Sequence, residues 1–261
     1  MMIIVIIILT EKFVTYETIY LILFIMERSF SMSKETLHQN ITHPKDPGSA
    51  FTHFLGVVMV LLAAIPLLSR AIKGEHPVYV ISLGIFVVSM FLLYSASTIY
   101  HTFNISERSN RILKKLDHIM IYVLIAGSYT PVCLITLSSS SGTFLFLLVW
   151  AVALLGILQC IFFINCPKWV SSILYIAMGW LCVFSFSDIL ALMNTQTFYW
   201  LLAGGIIYTI GGIIYACKFP IFNQLHKNFG SHEIFHLFVL AGSLCHFVVM
   251  YQLIDTPILT F

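Results

Sequence analysis

The sequence predicts an all-α integral membrane protein: a seven-transmembrane helix bundle with its N-terminus cytoplasmic and its C-terminus outside. Composition is the first observation. Of 261 residues, 59% are hydrophobic and 9% charged, where a soluble domain is about 25% charged. Mean hydropathy is +0.97. The second is run length, because the apolar stretches suit membrane-spanning helices and not barrel strands. The third is the placement of Lys and Arg in the connections, which sets orientation. The formal net charge of +2 says little, and with no basic stripe outside the short loops nothing suggests a nucleic-acid partner.

The chain opens on Met1 to about Met26. Two apolar runs, Met2–Leu9 and Tyr16–Met26, flank Glu11 and Lys12, and each is too short to span. Positive charge and a small-residue cleavage site are lacking, so the stretch is a poor signal peptide. It reads as an interfacial helix, an extra anchor or translated upstream sequence with the start at Met26 or Met32. From Glu27 to Pro47 the chain is polar; residues 1–48 are taken together as an N-terminal segment of unassigned role. The seven-span domain, residues 49–253, follows. Its expected spans are Ser49–Ser69, Val78–Tyr100, Leu116–Leu137, Thr143–Ile164, Val170–Ser187, Phe198–Cys217 and His232–Leu253. Residues 254–261 form a short external tail.

Pro66 and Pro131 are expected to bend the first and third spans. Gly204, Gly205, Gly211 and Gly212 recur at a spacing of seven in the sixth span, which lets a neighbouring helix approach closely. Cys133, Cys160, Cys166, Cys182, Cys217 and Cys245 lie in or beside apolar runs without a CxxC, and read as small core residues. Trp169 and Trp200 fall near span ends and suit interfacial anchoring. Asp188 is expected in a solvated loop at the outer end of the fifth span.

Orientation follows from the connections. Arg28, Lys34, Lys45, Arg108, Arg111, Lys114, Lys115, Lys168, Lys218 and Lys227 fall on one side, and only Arg70 and Lys73 on the other. Ten against two places the first side in the cytoplasm.

On that topology the polar residues gather. Ser97 and His101 are four apart at the cytoplasmic end of the second span, so they share a helix face. Asp117 opens the third span. His232 and His236, again four apart, open the seventh. Three imidazoles with a carboxylate or water make a tetrahedral, borderline-soft donor set that suits zinc. An open fourth position belongs to catalytic sites, where zinc brings bound water to a pKa of about 7. Asp117 is then placed to hold that water and act as general base. Ser97 would bond a substrate carbonyl, or orient Asp117 or a ligand histidine. The same residues would also serve as a metal-free polar network pinning three helices, and spacing alone leaves both readings open. His118 and Glu233 are expected to turn off the ligand face. His246, about 15 Å deeper than His236 at 1.5 Å per residue, is expected to be a hydrogen-bonded core residue.

Ser97-Thr-Ile-Tyr-His101, Leu116-Asp117 and Ser231-His232-Glu-Ile-Phe-His236 together resemble the signature of the hemolysin III family. That family belongs with the progestin and adipoQ receptors and, more distantly, the alkaline ceramidases. The resemblance runs from about Asp46 to Leu253. It implies a seven-helix fold with a cytoplasm-facing zinc site, His101, His232 and His236 as ligands, Asp117 holding the zinc-bound water, and Ser97 beside it. The family also commonly carries Glu and Asn ahead of a His before the first span. Here Asp46 and Ser49 stand in those places and receive no fixed role, while His53 is kept as a residue that supports the ligands.

Three functions follow. The first is a zinc-dependent hydrolase of lipid amides or esters, ceramidase-like, acting on membrane lipids such as ceramides or phospholipids in lipid homeostasis. The second is a receptor or regulator of membrane lipid state with structural zinc. The third, ranked last, is a cytolytic pore. A multi-pass location in the cell membrane is expected for all three.

Overall fold

The computed structural model describes residues 39, 43–74, 76–137, 140–163, 166–217 and 230–255. The stretch from Met1 to Met26 and the tail beyond residue 255 lie outside them. Seven helices are long and apolar enough to cross a membrane. They are α1 (Pro47–Lys73), α2 (Pro77–Thr102), α3 (Glu107–Leu137), α4 (Ser140–Phe162), α5 (Lys168–Leu192), α6 (Thr195–Cys217) and α7 (Ser231–Leu253). No strand occurs among the described residues.

Each start has a local cause. Pro47 and Pro77 occupy the first helical positions of α1 and α2, where the missing N–H costs nothing. The Ser106 side chain caps α3 by accepting from the Ser109 N–H at 3.2 Å. α3 therefore begins nine residues before the expected Leu116. Arg108, Arg111, Lys114 and Lys115, expected in a loop, lie on its first turns. The hydropathy signal starts only where the helix turns apolar, so the polar turns ahead of it were assigned to the connection.

Two helices depart from α geometry. Pro131 ends the α-helical part of α3, and Val132–Leu137 continues as a π-helix, as expected where proline removes a backbone donor. α5 passes through a 3₁₀ stretch, Leu181–Ser185, after Gly179. Asp188 sits on the closing helical turns of α5 and is half-buried, not in a loop.

The tightest pairings are α6 with α7, α1 with α2 and α2 with α3, and α7 also meets α1. The glycines explain the first. A Cβ on Gly204 would lie 2.7 Å from the His246 ring, and one on Gly211 2.6 Å from Phe238 Cβ, so α7 packs where side chains are missing. Gly205 faces open space and Gly212 meets Ile176 of α5, so only half of the repeat serves α7. Leu67, Leu83, Phe86, Tyr94, Tyr122 and Val249 fill the centre. Large apolar side chains such as Leu62, Ile65, Leu155 and Phe162 face outward, as a lipid solvent requires. At one end Arg70 pairs with Asp255 at 2.7 Å and covers the Tyr251 ring. The histidines gather at the other end.

Candidate metal centre

His101 is at the last turn of α2, while His232 and His236 occupy the first turns of α7, so the α2–α1–α7 packing brings three imidazoles together. One nitrogen from each lies within 4.8 Å of the others. His101 Nε2 and His232 Nε2 are 3.2 Å apart. A tetrahedral ion bound at about 2.0–2.1 Å per imidazole separates its ligand nitrogens by about 3.3 Å, so this spacing fits a shared metal ion.

The outer nitrogens fix which inner ones carry lone pairs. His101 Nδ1 lies 2.9 Å from Asp46 Oδ2, and a carboxylate only accepts, so His101 donates there. That hydrogen bond holds the Asp46 carboxyl below its usual pKa range. His236 Nδ1 lies 3.2 Å from Thr52 Oγ1, whose single proton is directed at the Gly48 and Ser49 carbonyls at 3.0 Å. Thr52 therefore accepts from His236. Both rings are thereby left with the lone pair on Nε2, the nitrogen that could take a metal ion, the arrangement usual behind histidine ligands. His232 Nδ1 is buried without a hydrogen-bond partner among the described residues.

One short segment supplies most of this support. The Asp46 N–H donates to the His101 carbonyl at 2.9 Å and the Lys45 N–H to the Thr102 carbonyl at 3.2 Å. Lys45 Nζ donates to the Tyr100 carbonyl at 2.8 Å and lies over the Tyr100 ring. Ser49 Oγ donates to Glu233 Oε1 at 2.6 Å, while Glu233 Oε2 accepts from the Gly230 N–H at 2.8 Å, capping α7. His53 stacks on His236 with centroids 3.6 Å apart and planes 12° from parallel. Its outer edge meets Tyr94.

His101, His232 and His236 converge. Asp117 is buried on α3 and lines the same cavity as His232 and His236. Ser97 is fully buried one turn before His101, and its Oγ has no partner among the described residues. His53 stacks on the His236 ring. Asp46 and Ser49, given no fixed role, contact His101 and Glu233. Thr52 was not singled out. Asp46, Ser49 and Thr52 recur every three residues ahead of His53, and that spacing is the signal that could have found it. Glu233 does turn off the ligand face, to cap its helix. His118 lines the cavity beside Asp117 but is not among the three clustered imidazoles. One expectation needs correction. His246 is buried and stacked on Tyr208, but its Nδ1 has no hydrogen-bond partner among the described residues.

The cavity begins at Asp117, His232 and His236 and continues between apolar side chains including Leu124, Ile125, Val132, Ile189, Phe198 and Leu201. The fold and this site define a class: a multi-pass helical membrane protein with a histidine cluster at one end of its bundle, open to an apolar cavity.

Known proteins match the chain. The family model described as "Haemolysin-III related" matches residues 41–247. "Hemolysin-3" of Bacillus cereus is 36% identical over 209 residues, covering 80% of this chain and 91% of that protein. "Hemolysin-3 homolog" of Bacillus subtilis is 36% identical over 220 residues, covering 84% and 99%. An "Adiponectin receptor protein" of Drosophila melanogaster is 24% identical over 225 residues, covering 77% of this chain and 49% of the receptor. The chain is a member of the hemolysin III family, related to the adiponectin receptors.

Proposed function

We propose that this protein is a zinc-dependent hydrolase of lipid amide or ester bonds, with its site at the cytoplasmic face of the cell membrane. The observation that carries the reading is the junction of three convergent imidazoles with a buried carboxylate and an apolar cavity. Bound zinc would lower the pKa of water to about 7 and polarise a carbonyl. His101, His232 and His236 would hold the ion, with Asp46 and Thr52 fixing two of the rings. Asp117 would accept a proton from the attacking water and return it to the leaving amine or alcohol. The apolar walls would take the acyl chain and exclude bulk water. Complete burial of Ser97 suits orientation of Asp117 or of a ligand ring better than contact with substrate.

Metal analysis of the purified full-length protein tests the site. Near-stoichiometric zinc is expected, with loss in His232→Ala/His236→Ala. Absence of zinc from protein purified without chelator would leave a metal-free network in which His101 and His232 hydrogen-bond directly.

A receptor or regulator of lipid state with structural zinc is the second reading, favoured by the name of the Drosophila relative. It expects ligand binding without turnover. The names of the Bacillus relatives suggest lysis; it ranks last, and release of haemoglobin from erythrocytes by the purified protein is its test.

A further inference from the structure

The glycines of α6 are not equivalent. A Cβ on Gly204, Gly211 or Gly212 would lie 2.7, 2.6 or 3.1 Å from a neighbouring side chain, so packing favours glycine at those three positions. A Cβ on Gly205 would meet no atom within 4 Å. Glycine inside a helix is less favourable than alanine, and contact with another helix does not account for its presence here.

The cavity does account for it. Leu201, Leu202, Tyr208 and Thr209 line the cavity, as Gly205 does. They stand three and four residues to either side of Gly205, so it is at the middle of the cavity-facing stripe of α6, and a side chain there would point into the lumen. The stripe begins at Tyr215, whose ring centroid is 5.5 Å from that of His232, and ends at Phe198. At 1.5 Å per residue, Gly205 lies about 15 Å and Phe198 about 25 Å from the level of Tyr215. Phe198 meets Phe186 with ring centroids 5.8 Å apart, and both line the far end with Ile189 and Val132. Past them the bundle is packed: Thr197 Oγ1 donates to Gln252 Oε1 at 2.8 Å, and Met193 and Leu253 are buried. Beside Gly205, the Thr209 hydroxyl donates to the Gly205 carbonyl at 2.7 Å and accepts from Trp180 Nε1 at 3.0 Å, so it is occupied within the wall.

We propose that Gly205 sets the length of acyl chain the protein accepts: its missing side chain keeps the lumen open from the histidine cluster to the Phe198 floor, so a long, unbranched chain runs past it with its carbonyl at the histidines. An extended acyl chain advances about 1.3 Å per carbon, given C–C bonds of about 1.5 Å. A dodecanoyl chain therefore stops at Gly205, and an octadecanoyl chain passes it towards the floor. The inference rests on the lipid-hydrolase reading and adds to it the class of acyl chain and the residue that selects it.

The test is binding of radiolabelled dodecanoate and octadecanoate to purified full-length protein, with metal content and melting temperature measured in parallel. Gly205→Leu and Gly205→Phe, two side chains of different shape, each stand across the lumen. Both are expected to weaken octadecanoate by about tenfold or more, because the methylenes beyond the block lose their apolar surroundings. Dodecanoate should bind as in wild type, and neither metal content nor melting temperature should fall. Gly205→Ala, too short to cross the lumen, should bind both acids as wild type does. Undiminished binding of octadecanoate by Gly205→Leu or Gly205→Phe overturns the proposal and leaves the hydrolase reading intact. Equal weakening of the two acids in those variants also overturns it. Binding of neither acid by wild type overturns both.

Discussion

Asp46 and His101 are joined twice: the Asp46 carboxylate accepts from His101 Nδ1 at 2.9 Å, and the Asp46 N–H donates to the His101 carbonyl at 2.9 Å. The first bond sets the tautomer of a proposed ligand, and the second anchors the start of α1 to the end of α2. Asp46→Ala removes the first and keeps the second. It is expected to weaken zinc retention by about 10–100-fold, measured by competition with a chelator. Retention equal to wild type would show that the carboxylate does not act on the metal.

Thr52→Val offers an independent check on the second ring. It removes the Thr52 acceptor from the buried His236 Nδ1–H, at a cost of about 1 kcal/mol, the net worth of one neutral hydrogen bond. Thermal unfolding of the zinc-loaded protein should move down, and the chelator should remove zinc faster. An unchanged melting profile with unchanged zinc release would mean that Thr52 does not orient His236.

The glycines of α6 give a matched pair. A Cβ on Gly211 meets Phe238 at 2.6 Å, while one on Gly205 meets nothing within 4 Å. Gly211→Ala should destabilise by about 1–3 kcal/mol through overpacking, and Gly205→Ala should leave stability unchanged or slightly raised. Melting temperatures of the two variants decide it. Equal values would contradict the α6–α7 packing.

The spans and the three histidines were legible because both rest on local rules: run length for the helices, and spacing of four for the faces. The roles of Asp46, Ser49 and Thr52 were not. Their partners His101, Glu233 and His236 lie 55 and 184 residues away in the chain, and only the packed bundle decides which side chains meet. The start of α3 was missed because Arg108, Arg111, Lys114 and Lys115 look like a loop to any rule based on hydropathy. His246 is expected to be hydrogen-bonded because buried polar groups usually are; that its Nδ1 has no partner among the described residues depends on how α6 and α7 pack around the ring, which spacing cannot reveal.

The proposed orientation is tested at the C-terminus. A reporter active only in the cytoplasm, fused after Phe261, should be silent, because the ten-to-two charge bias puts the histidine end of the bundle inside. Strong reporter activity would reverse the topology and turn the proposed site outward.

The central claim is that Asp117 does chemistry at a metal the histidines hold. The measurement is release of fatty acid from a panel of ceramides and phospholipids by zinc-loaded wild type, Asp117→Asn and Ser97→Ala. Asn matches Asp in size but cannot take a proton. Asp117→Asn should therefore keep its zinc while turnover falls by about 10²–10⁴. Ser97→Ala should cost less: its Oγ has no hydrogen-bond partner among the described residues, so the loss is at most the one neutral bond, worth about 1 kcal/mol, that it would make in the loaded site. No release by the wild type across the panel, or full turnover by Asp117→Asn, would contradict the account.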